Sequence, residues 1–498
     1  MPRSAISQRP VAVIDIGSNS VRLVAYDRLG RAPVPMFNEK SLCGLGRDVA
    51  ITGLLPADGL VQAIDALKRF RVLCDLMKIE RLFVLATAAA RRATNGPAFI
   101  ARVEAILGEP VSILTGMEEA RLAALGVVAG LHHPAGLAGD LGGGSLELID
   151  VTDGIVGQGV SLELGGLSLR DASGKNLKKA AKIVAETLSG VPNLERACGR
   201  DIIAIGGTWR AIARLHMAKG AYPLNVLHGY TASTRSIAEF CRELQKGDYD
   251  QLPAIGEIAR ERRPLLAYGA LVLEDLIART GAARFVVSTS GVREGVLYSQ
   301  LPAALQRQDP LIAAARALSD LHARAPAHAD ELIAWTDDFT RSAFPGEDEA
   351  TRRIRHAACL VSEVAWRANP DYRAEEAARM VAFAALPAID HRERAFLAGV
   401  QYARYEGVTE NAVPPLRSLL NAQEIDAARA LGCLIRVAYN ISAGQPGVLP
   451  RTPIRVENGR LVQILPPAFA DLSNERLAGR LKQTAKLMGM GHEVRILD

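Results

Sequence analysis

One local pattern occurs twice in the sequence, and this repetition constrains the fold more than any other feature. In each copy an apolar run typical of a β-strand passes an aspartate, turns through a short glycine-containing segment and resumes as a second apolar run. The first copy spans 11–25 with Asp15 before its turn, and the second spans 137–151 with Asp140 before its turn. Two similar halves usually enclose a ligand, so the sequence predicts a binding cleft between them.

Strand-like and helix-like segments alternate over the first 300 residues, which is typical of α/β proteins. A third glycine turn follows the apolar run at 202–205 and opens a helix at Thr208, and a last strand at 285–288 leads into Gly291 and Gly295. Beyond about residue 305 the β signal disappears until a short β–α–β tail. We predict two α/β subdomains, a helical domain and a small α+β tail, at 1–128, 129–305, 306–445 and 446–498.

Composition excludes several classes of protein. The net charge of +5, from 59 basic and 54 acidic residues, is too weak to indicate a DNA-binding protein, although residues 301–350 form an acidic strip. The six cysteines are too far apart for a metal knuckle or a disulfide framework. No apolar run reaches the ~18 residues of a membrane helix, and nothing resembles a signal peptide. We therefore expect a cytoplasmic protein without membrane or DNA partners. No GxSxG, Walker A, GxGxxG or HExxH motif occurs.

Each glycine turn exposes backbone N–H groups close to a strand end, where they could bind phosphate; an isolated turn of this kind would more simply be a tight hairpin. Asp15 and Asp140 precede the first two turns in equivalent places, so they could cap the turns or hold a divalent cation between two phosphate loops. Glu147 faces the same side of its strand as Ser145 and could share that cation or position water.

Other charged residues allow two interpretations each. Glu118 and Glu119 open a helix, where carboxylates are favoured electrostatically without any further role. Arg22 and Arg91 lie near strand ends and are either surface charges or clamps on an anionic substrate. Trp209 could stack on a base, although a tryptophan at a helix start is more often a core residue. Three basic clusters could guide a polyanion or simply face solvent: Lys175/Lys178/Lys179/Lys182, Arg260/Arg262/Arg263 and Arg476/Arg480/Lys482/Lys486.

Six motifs, in their order along the chain, resemble those of the exopolyphosphatase/guanosine pentaphosphate phosphatase family, in the superfamily of actin, sugar kinases and heat-shock chaperone ATPases. They are Asp15-Ile-Gly-Ser-Asn-Ser-Val-Arg22, Ala86-Thr-Ala-Ala-Ala-Arg91 with Asn95, Thr115-Gly-Met-Glu-Glu-Ala120, Asp140-Leu-Gly-Gly-Gly-Ser-Leu-Glu147, Gly206-Gly-Thr-Trp-Arg210 and Gly291-Val-Arg-Glu-Gly295. The length resembles the long form of the family. The resemblance implies two ribonuclease-H-like (actin-like) subdomains with a cleft between them, a helical HD-like domain and a short C-terminal domain.

The resemblance also implies an activity: processive, Mg²⁺- or Mn²⁺-dependent removal of the terminal phosphate of inorganic polyphosphate by direct attack of water, in a protein that forms a homodimer. Carried onto this sequence, the family pattern makes Glu119 the catalytic base and Asp15, Asp140 and Glu147 the carboxylates associated with the metal. We assign substrate binding to Gly17, Ser18, Asn19, Ser20, Arg22, Arg91, Gly142, Gly143, Gly144, Ser145, Gly207 and Thr208.

The sequence departs from the family pattern at several positions. Leu146 replaces a threonine and so removes a hydroxyl from the second loop, and the His-Asp pair of a working HD phosphohydrolase falls on Ser362 and Glu363. We therefore expect no second hydrolase site in the helical domain, which we predict binds the polymer or forms a dimer contact. Hydrolysis of guanosine pentaphosphate and phosphate transfer to a nucleoside diphosphate remain alternatives at the same site. A nucleotide-responsive scaffold is an alternative of a different class.

Overall fold

The computed structural model describes residues 9–408 and 414–497. Contacts divide the chain into two compact units, of which one ends at Gln308 and the other begins at Asp309. All six cysteines lie in the described part of the chain and carry free thiols, five of them buried. Within the described residues, no helix is both long and apolar enough to cross a membrane.

The first half of the first unit is built on a five-stranded sheet with the strand order β3-β2-β1-β4-β5. Strands β1 to β3 form an antiparallel meander, while β4 and β5 run parallel to β1. The apolar faces of its helices pack on the sheet through residues such as Phe70 and Val103, which are fully buried. The elements are β1 (Val11–Ile16), β2 (Ser20–Tyr26), β3 (Pro35–Leu42), α1 (Val49–Thr52), α2 (Ala57–Leu76), β4 (Arg81–Ala86), α3 (Ala88–Arg92), α4 (Gly96–Leu107) and β5 (Val111–Ile113).

Helix α5 (Gly116–Gly130) follows, and the second half then repeats the same design in a six-stranded sheet with the order β10-β11-β9-β6-β7-β8. Its antiparallel meander is β6 to β8, and β9 and β11 continue the sheet in parallel to β6. The elements are β6 (Ala135–Leu141), β7 (Leu146–Thr152), β8 (Ile155–Leu162), α6 (Gly166–Ala172), α7 (Leu177–Ser189), β9 (Asp201–Ile205), α8 (Gly207–Lys219), β10 (Thr231–Ser233), α9 (Thr234–Leu244), α10 (Leu266–Thr280), β11 (Arg284–Val287), α11 (Val292–Ser299) and α12 (Ala303–Gln306).

The shared order of a three-stranded meander followed by parallel strands confirms the predicted pair of ribonuclease-H-like halves. The strand register shows that the two hairpins place their aspartates equivalently. Asp15 lies opposite Arg22 in the first hairpin, and Asp140 lies opposite Glu147 in the second. The sequence did not predict strand β3, which pairs with β2 at the edge of the first sheet.

Helices α5 and α11 cross with their backbones almost in contact. A Cβ on Gly295 would lie 1.8 Å from the carbonyl oxygen of Leu122, and a Cβ on Gly126 would lie 2.1 Å from that of Gly291. Only glycine allows this approach, because any side chain would separate the helices. The crossing fixes the N-terminus of α5, which carries Glu119, relative to the N-terminus of α11.

The second unit is helical with a small sheet at its end, as predicted. Its strands have the order β12-β13-β14, with β13 and β14 parallel and linked by α20. Glu363, at the position of the missing His-Asp pair, is buried and accepts hydrogen bonds from Arg324. The elements are α13 (Pro310–His322), α14 (Pro326–Ala343), α15 (Glu349–Leu360), α16 (Arg373–Phe383), α17 (His391–Glu406), α18 (Pro414–Arg417), α19 (Ala422–Ser442), β12 (Ile454–Glu457), β13 (Arg460–Leu465), α20 (Glu475–Leu487) and β14 (Gly491–Ile496).

Candidate active site

The two glycine turns between β1 and β2 and between β6 and β7 face each other across a cavity of about 240 Å³ in the first unit. Both turns have the same internal hydrogen bond, from Gly17 N to Ser20 O and from Gly142 N to Ser145 O, each 3.0 Å long. A Cβ on Gly144 would lie 3.1 Å from Ser18 Oγ, so the turns approach closely.

The intervening backbone N–H groups remain available to a ligand. Among the described residues, no hydrogen-bond acceptor is found for the N–H groups of Ser18, Asn19, Gly143 and Gly144. All four residues are half-buried and line the cavity, so a ligand can reach these donors. In two opposed turns, the four N–H groups suit an anion with several oxygen atoms.

Four carboxylates gather beside these turns, and each has a raised pKa. Burial raises the pKa of Asp15 and raises that of Asp140 to about 6. Burial, with repulsion from Asp140, raises the pKa of Glu147 to about 7 despite hydrogen bonds from Ser145 and Ser161. The pKa of Glu119 is raised well above its ordinary value by burial and by repulsion from the other three carboxylates. Its Oε2 atom is buried without a hydrogen-bond partner among the described residues.

Five cationic side chains line the same cavity: Lys40, Arg22, Arg210, Arg262 and Arg293. Of these five, the sequence predicted a substrate-binding role for Arg22 and placed Arg262 in a basic cluster. Arg210 and Arg293 belong to two of the six motifs, but no role was predicted for them, because a motif does not show where its side chains point. Lys40 was missed because it lies on the unpredicted strand β3, opposite Arg22.

Most of the predicted site residues line this cavity, but the side chains of Arg91 and Glu147 do not. Arg91 turns away and donates a hydrogen bond to the carbonyl oxygen of Leu114. Glu147 is only 2% exposed and accepts a hydrogen bond of 2.8 Å from Ser161 Oγ, so it lies behind the cavity wall. Trp209 is a core residue, as its position at a helix start suggested: it is fully buried, and its Nε1 donates to Gly269 O at 3.0 Å.

Comparison with known proteins decides the family. Residues 23–304 match the model of the Ppx/GppA phosphatase family, and residues 311–494 match that of the exopolyphosphatase C-terminal domain. The chain belongs to the Ppx/GppA phosphatase family. A crystal structure of the Aquifex aeolicus member of the Ppx/GppA family is 26% identical, covers 60% of this chain and 99% of that chain, and has a TM-score of 0.50. A crystal structure of an exopolyphosphatase from Cytophaga hutchinsonii has the same fold, with 24% identity, coverage of 58% and 97%, and a TM-score of 0.52.

The resemblance to this family implies a divalent cation. The question is whether the carboxylates of this Ppx/GppA protein could hold one. Within the described residues, no three His, Cys, Asp or Glu side chains converge as a complete metal site. Mg²⁺, however, is usually bound by one or two carboxylates together with water and substrate phosphate. Asp15 and Asp140 both line the cavity, and burial raises the pKa of each carboxylate more than the neighbouring arginines lower it. The residues therefore fit a cation that shares its ligands with the substrate.

The pH dependence of stability tests this carboxylate cluster. The folded-state pKa of Glu147, about 7, exceeds its ordinary value of 4.5, so between these values the folded protein retains a proton that the unfolded chain has released. Stability must therefore fall as pH rises through this range. Without divalent cations, we expect Glu147 alone to lower the free energy of unfolding by about 1 kcal/mol between pH 6 and pH 8, which is roughly 2–4 °C in Tm.

Thermal unfolding at both pH values, with EDTA and with Mg²⁺, measures this effect. Mg²⁺ should stabilise the wild type more at pH 8 than at pH 6, because it binds the ionised carboxylates. The Glu147→Gln variant should lose the decrease attributed to Glu147, whereas Glu163→Gln, at an exposed ion pair with Arg92, should keep the wild-type behaviour. The same pH dependence in wild type and Glu147→Gln would contradict the raised pKa.

Proposed function

We propose that this protein is an exopolyphosphatase, which hydrolyses the terminal phosphate of inorganic polyphosphate by direct attack of water. The observation that carries the proposal is the pairing of two kinds of unsatisfied group around one cavity. On one side lie the backbone donors of two opposed turns, and near them lies Glu119, whose buried Oε2 has no partner among the described residues. The donors suit phosphate oxygens, and the carboxylate suits a water molecule.

The chemistry follows from these groups. The turns at Gly17–Ser20 and Gly142–Ser145 would hold the phosphate oxygens and fix the terminal phosphorus atom. Glu119 would orient a water molecule and accept its proton as the new P–O bond forms and the bridging P–O bond breaks, and the shortened chain would leave as an anion. The raised pKa makes Glu119 a stronger base than an exposed glutamate. A bound Mg²⁺ or Mn²⁺ would offset phosphate charge, with Asp15 and Asp140 as the residues that hold it.

The cavity wall favours a chain made of phosphate alone. Among the described residues that line it there is no aromatic ring on which a base could stack. Beside Gly207 and Thr208, the guanidinium group of Arg262 lies 2.8 Å from where a Cβ on Gly207 would be, and so covers this turn. Cations and backbone N–H groups recognise phosphate at every position along a chain, whereas a guanine base would find no aromatic ring among the described residues of the cavity wall.

Steady-state assays on three substrates test this assignment. We expect Mg²⁺- or Mn²⁺-dependent phosphate release from long-chain polyphosphate, with kcat/KM at least about tenfold above that for guanosine pentaphosphate, a difference of roughly 1.4 kcal/mol. Polyphosphate with ADP should give no ATP above the control without enzyme. Preference for guanosine pentaphosphate, or net ATP formation, would replace the proposal by one of the two alternatives, and binding without turnover would favour a scaffold.

We propose that the second unit binds the polymer or mediates a homodimer. We also propose that the protein acts in the cytoplasm. Comparing the full chain with a form that ends at residue 305 would test both roles through chain-length preference and oligomeric state. Unchanged values of both quantities would refute this part of the proposal.

A further inference from the structure

Arg293 lies in the wall of the active-site cavity. Its side chain is 13% exposed, and its Nε atom is buried without a partner among the residues that the structure describes. Within the described part of the chain it donates no hydrogen bond, and its one carboxylate neighbour within ion-pair range is Asp15, at 4.0 Å from Nη1 to Oδ2. A buried guanidinium N–H without an acceptor is costly, so this arrangement suits an anionic ligand that would supply one.

The other arginines of the cavity differ from Arg293. Arg210 donates from Nε to Gly206 O at 3.0 Å and from Nη1 to Thr289 O, and Arg22 donates from Nε to Asn38 at 2.8 Å. Both are therefore partly satisfied by the protein. The side chain of Arg262 also makes no hydrogen bond within the described residues, but its guanidinium group lies over the Gly207 turn. Of these two arginines, Arg293 is the one within ion-pair range of Asp15, one of the clustered carboxylates.

A second set of contacts holds Arg293 in place through its neighbour Glu294. Glu294 caps α11 by accepting a hydrogen bond of 2.8 Å from Gly291 N, and its other oxygen accepts one of 2.6 Å from the hydroxyl of Tyr26 on β2. Tyr26 is 1% exposed. Burial acts to lower the pKa of Arg293, but the charges of Glu294 and Asp15 outweigh it and raise that pKa, so the guanidinium stays fully charged.

We propose that Arg293 is a catalytic residue whose guanidinium group binds two non-bridging oxygens of the phosphoryl group under attack, and that Tyr26 and Glu294 position it. This inference rests on the proposed function. A planar guanidinium matches two phosphoryl oxygens at once and stabilises the charge that spreads over them in the transition state. The charge on these oxygens grows in the transition state, so we expect the loss of Arg293 to lower kcat much more than it raises KM.

The test compares Arg293→Lys and Arg293→Gln with the wild type. We expect kcat on polyphosphate to fall about 100-fold in both variants, with KM changed by less than about fivefold, in line with the loss of one donor to a developing oxyanion. Lysine keeps the charge next to Asp15 and Glu294 but not the two-point geometry. A kcat for Arg293→Lys within about threefold of the wild type, or an effect on KM alone, would overturn the proposal. Arg92→Gln, which removes an exposed arginine paired with Glu163, serves as the matched control.

Two further measurements test the positioning role of Tyr26 and the binding of phosphate by Arg293. Tyr26→Phe removes only the hydroxyl that holds Glu294, and we expect kcat about fivefold lower with an unchanged KM; an unchanged kcat would overturn the positioning role. Stabilisation by tripolyphosphate in thermal unfolding should be smaller for Arg293→Gln than for the wild type. If the wild type released no phosphate from polyphosphate, the proposed function would fail by itself, and equal tripolyphosphate shifts in the two proteins would then overturn the role of Arg293.

Discussion

Replacing Glu119 by glutamine is expected to lower kcat on polyphosphate by at least about 1000-fold while substrate binding persists. The amide has almost the same shape as the carboxylate but accepts no proton from water. The surrounding turns and cations, which bind the chain, are unchanged. Phosphate release, measured together with tripolyphosphate-induced stabilisation, separates the loss of chemistry from a loss of binding.

Glu118 provides a matched control one residue away. Its Oε2 accepts hydrogen bonds from Thr115 N at 2.7 Å and from Thr115 Oγ1 at 2.8 Å, and so completes a capping box at the start of α5. Glutamine also serves in this motif, so Glu118→Gln should keep kcat within about threefold of the wild type. Near-normal turnover in Glu119→Gln, or equal losses in the two variants, would remove Glu119 from the mechanism.

Local patterns in the sequence were sufficient to predict both strand–turn–strand units, because each is built from consecutive residues. The position of Asp15 and Asp140 before equivalent turns also predicted their convergence correctly, since the duplicated topology brings equivalent strand ends to one cleft. Strand β3 was missed for a physical reason. It is an edge strand with largely exposed or half-exposed side chains, so it lacks the apolar alternation that reveals a buried strand.

The orientation of individual side chains could not be predicted in the same way. Arg91 and Arg293 each follow the end of a strand within one of the six motifs. Arg91 nevertheless donates a hydrogen bond to the carbonyl oxygen of Leu114, whereas Arg293 lines the cavity. What separates them is the packing of α11 against α5, which joins residues about 170 positions apart in the chain. Such a contact depends on glycines whose absent side chains leave no periodic signal.

Gly295 is the position at which we expect the largest loss of stability from a single added methyl group. In Gly295→Ala the new Cβ would lie 1.8 Å from Leu122 O and 3.0 Å from Gly126 N, so α5 and α11 must move apart. We expect the free energy of unfolding of the first unit to fall by about 3 kcal/mol or more, despite the better helix propensity of alanine. Because the two helices carry Glu119 and Arg293, kcat should fall as well.

Calorimetry of the full chain measures this loss, with tripolyphosphate identifying the transition that belongs to the first unit. Gly190→Ala is the matched control, because this glycine at the end of α7 has a φ of −85° and a Cβ there would meet its nearest atom at 3.5 Å, an ordinary contact. The control should stay within about 0.5 kcal/mol of the wild type. Equal stabilities for the two variants would mean that α5 and α11 tolerate a wider separation, and the close crossing would then not be what fixes Glu119 relative to Arg293.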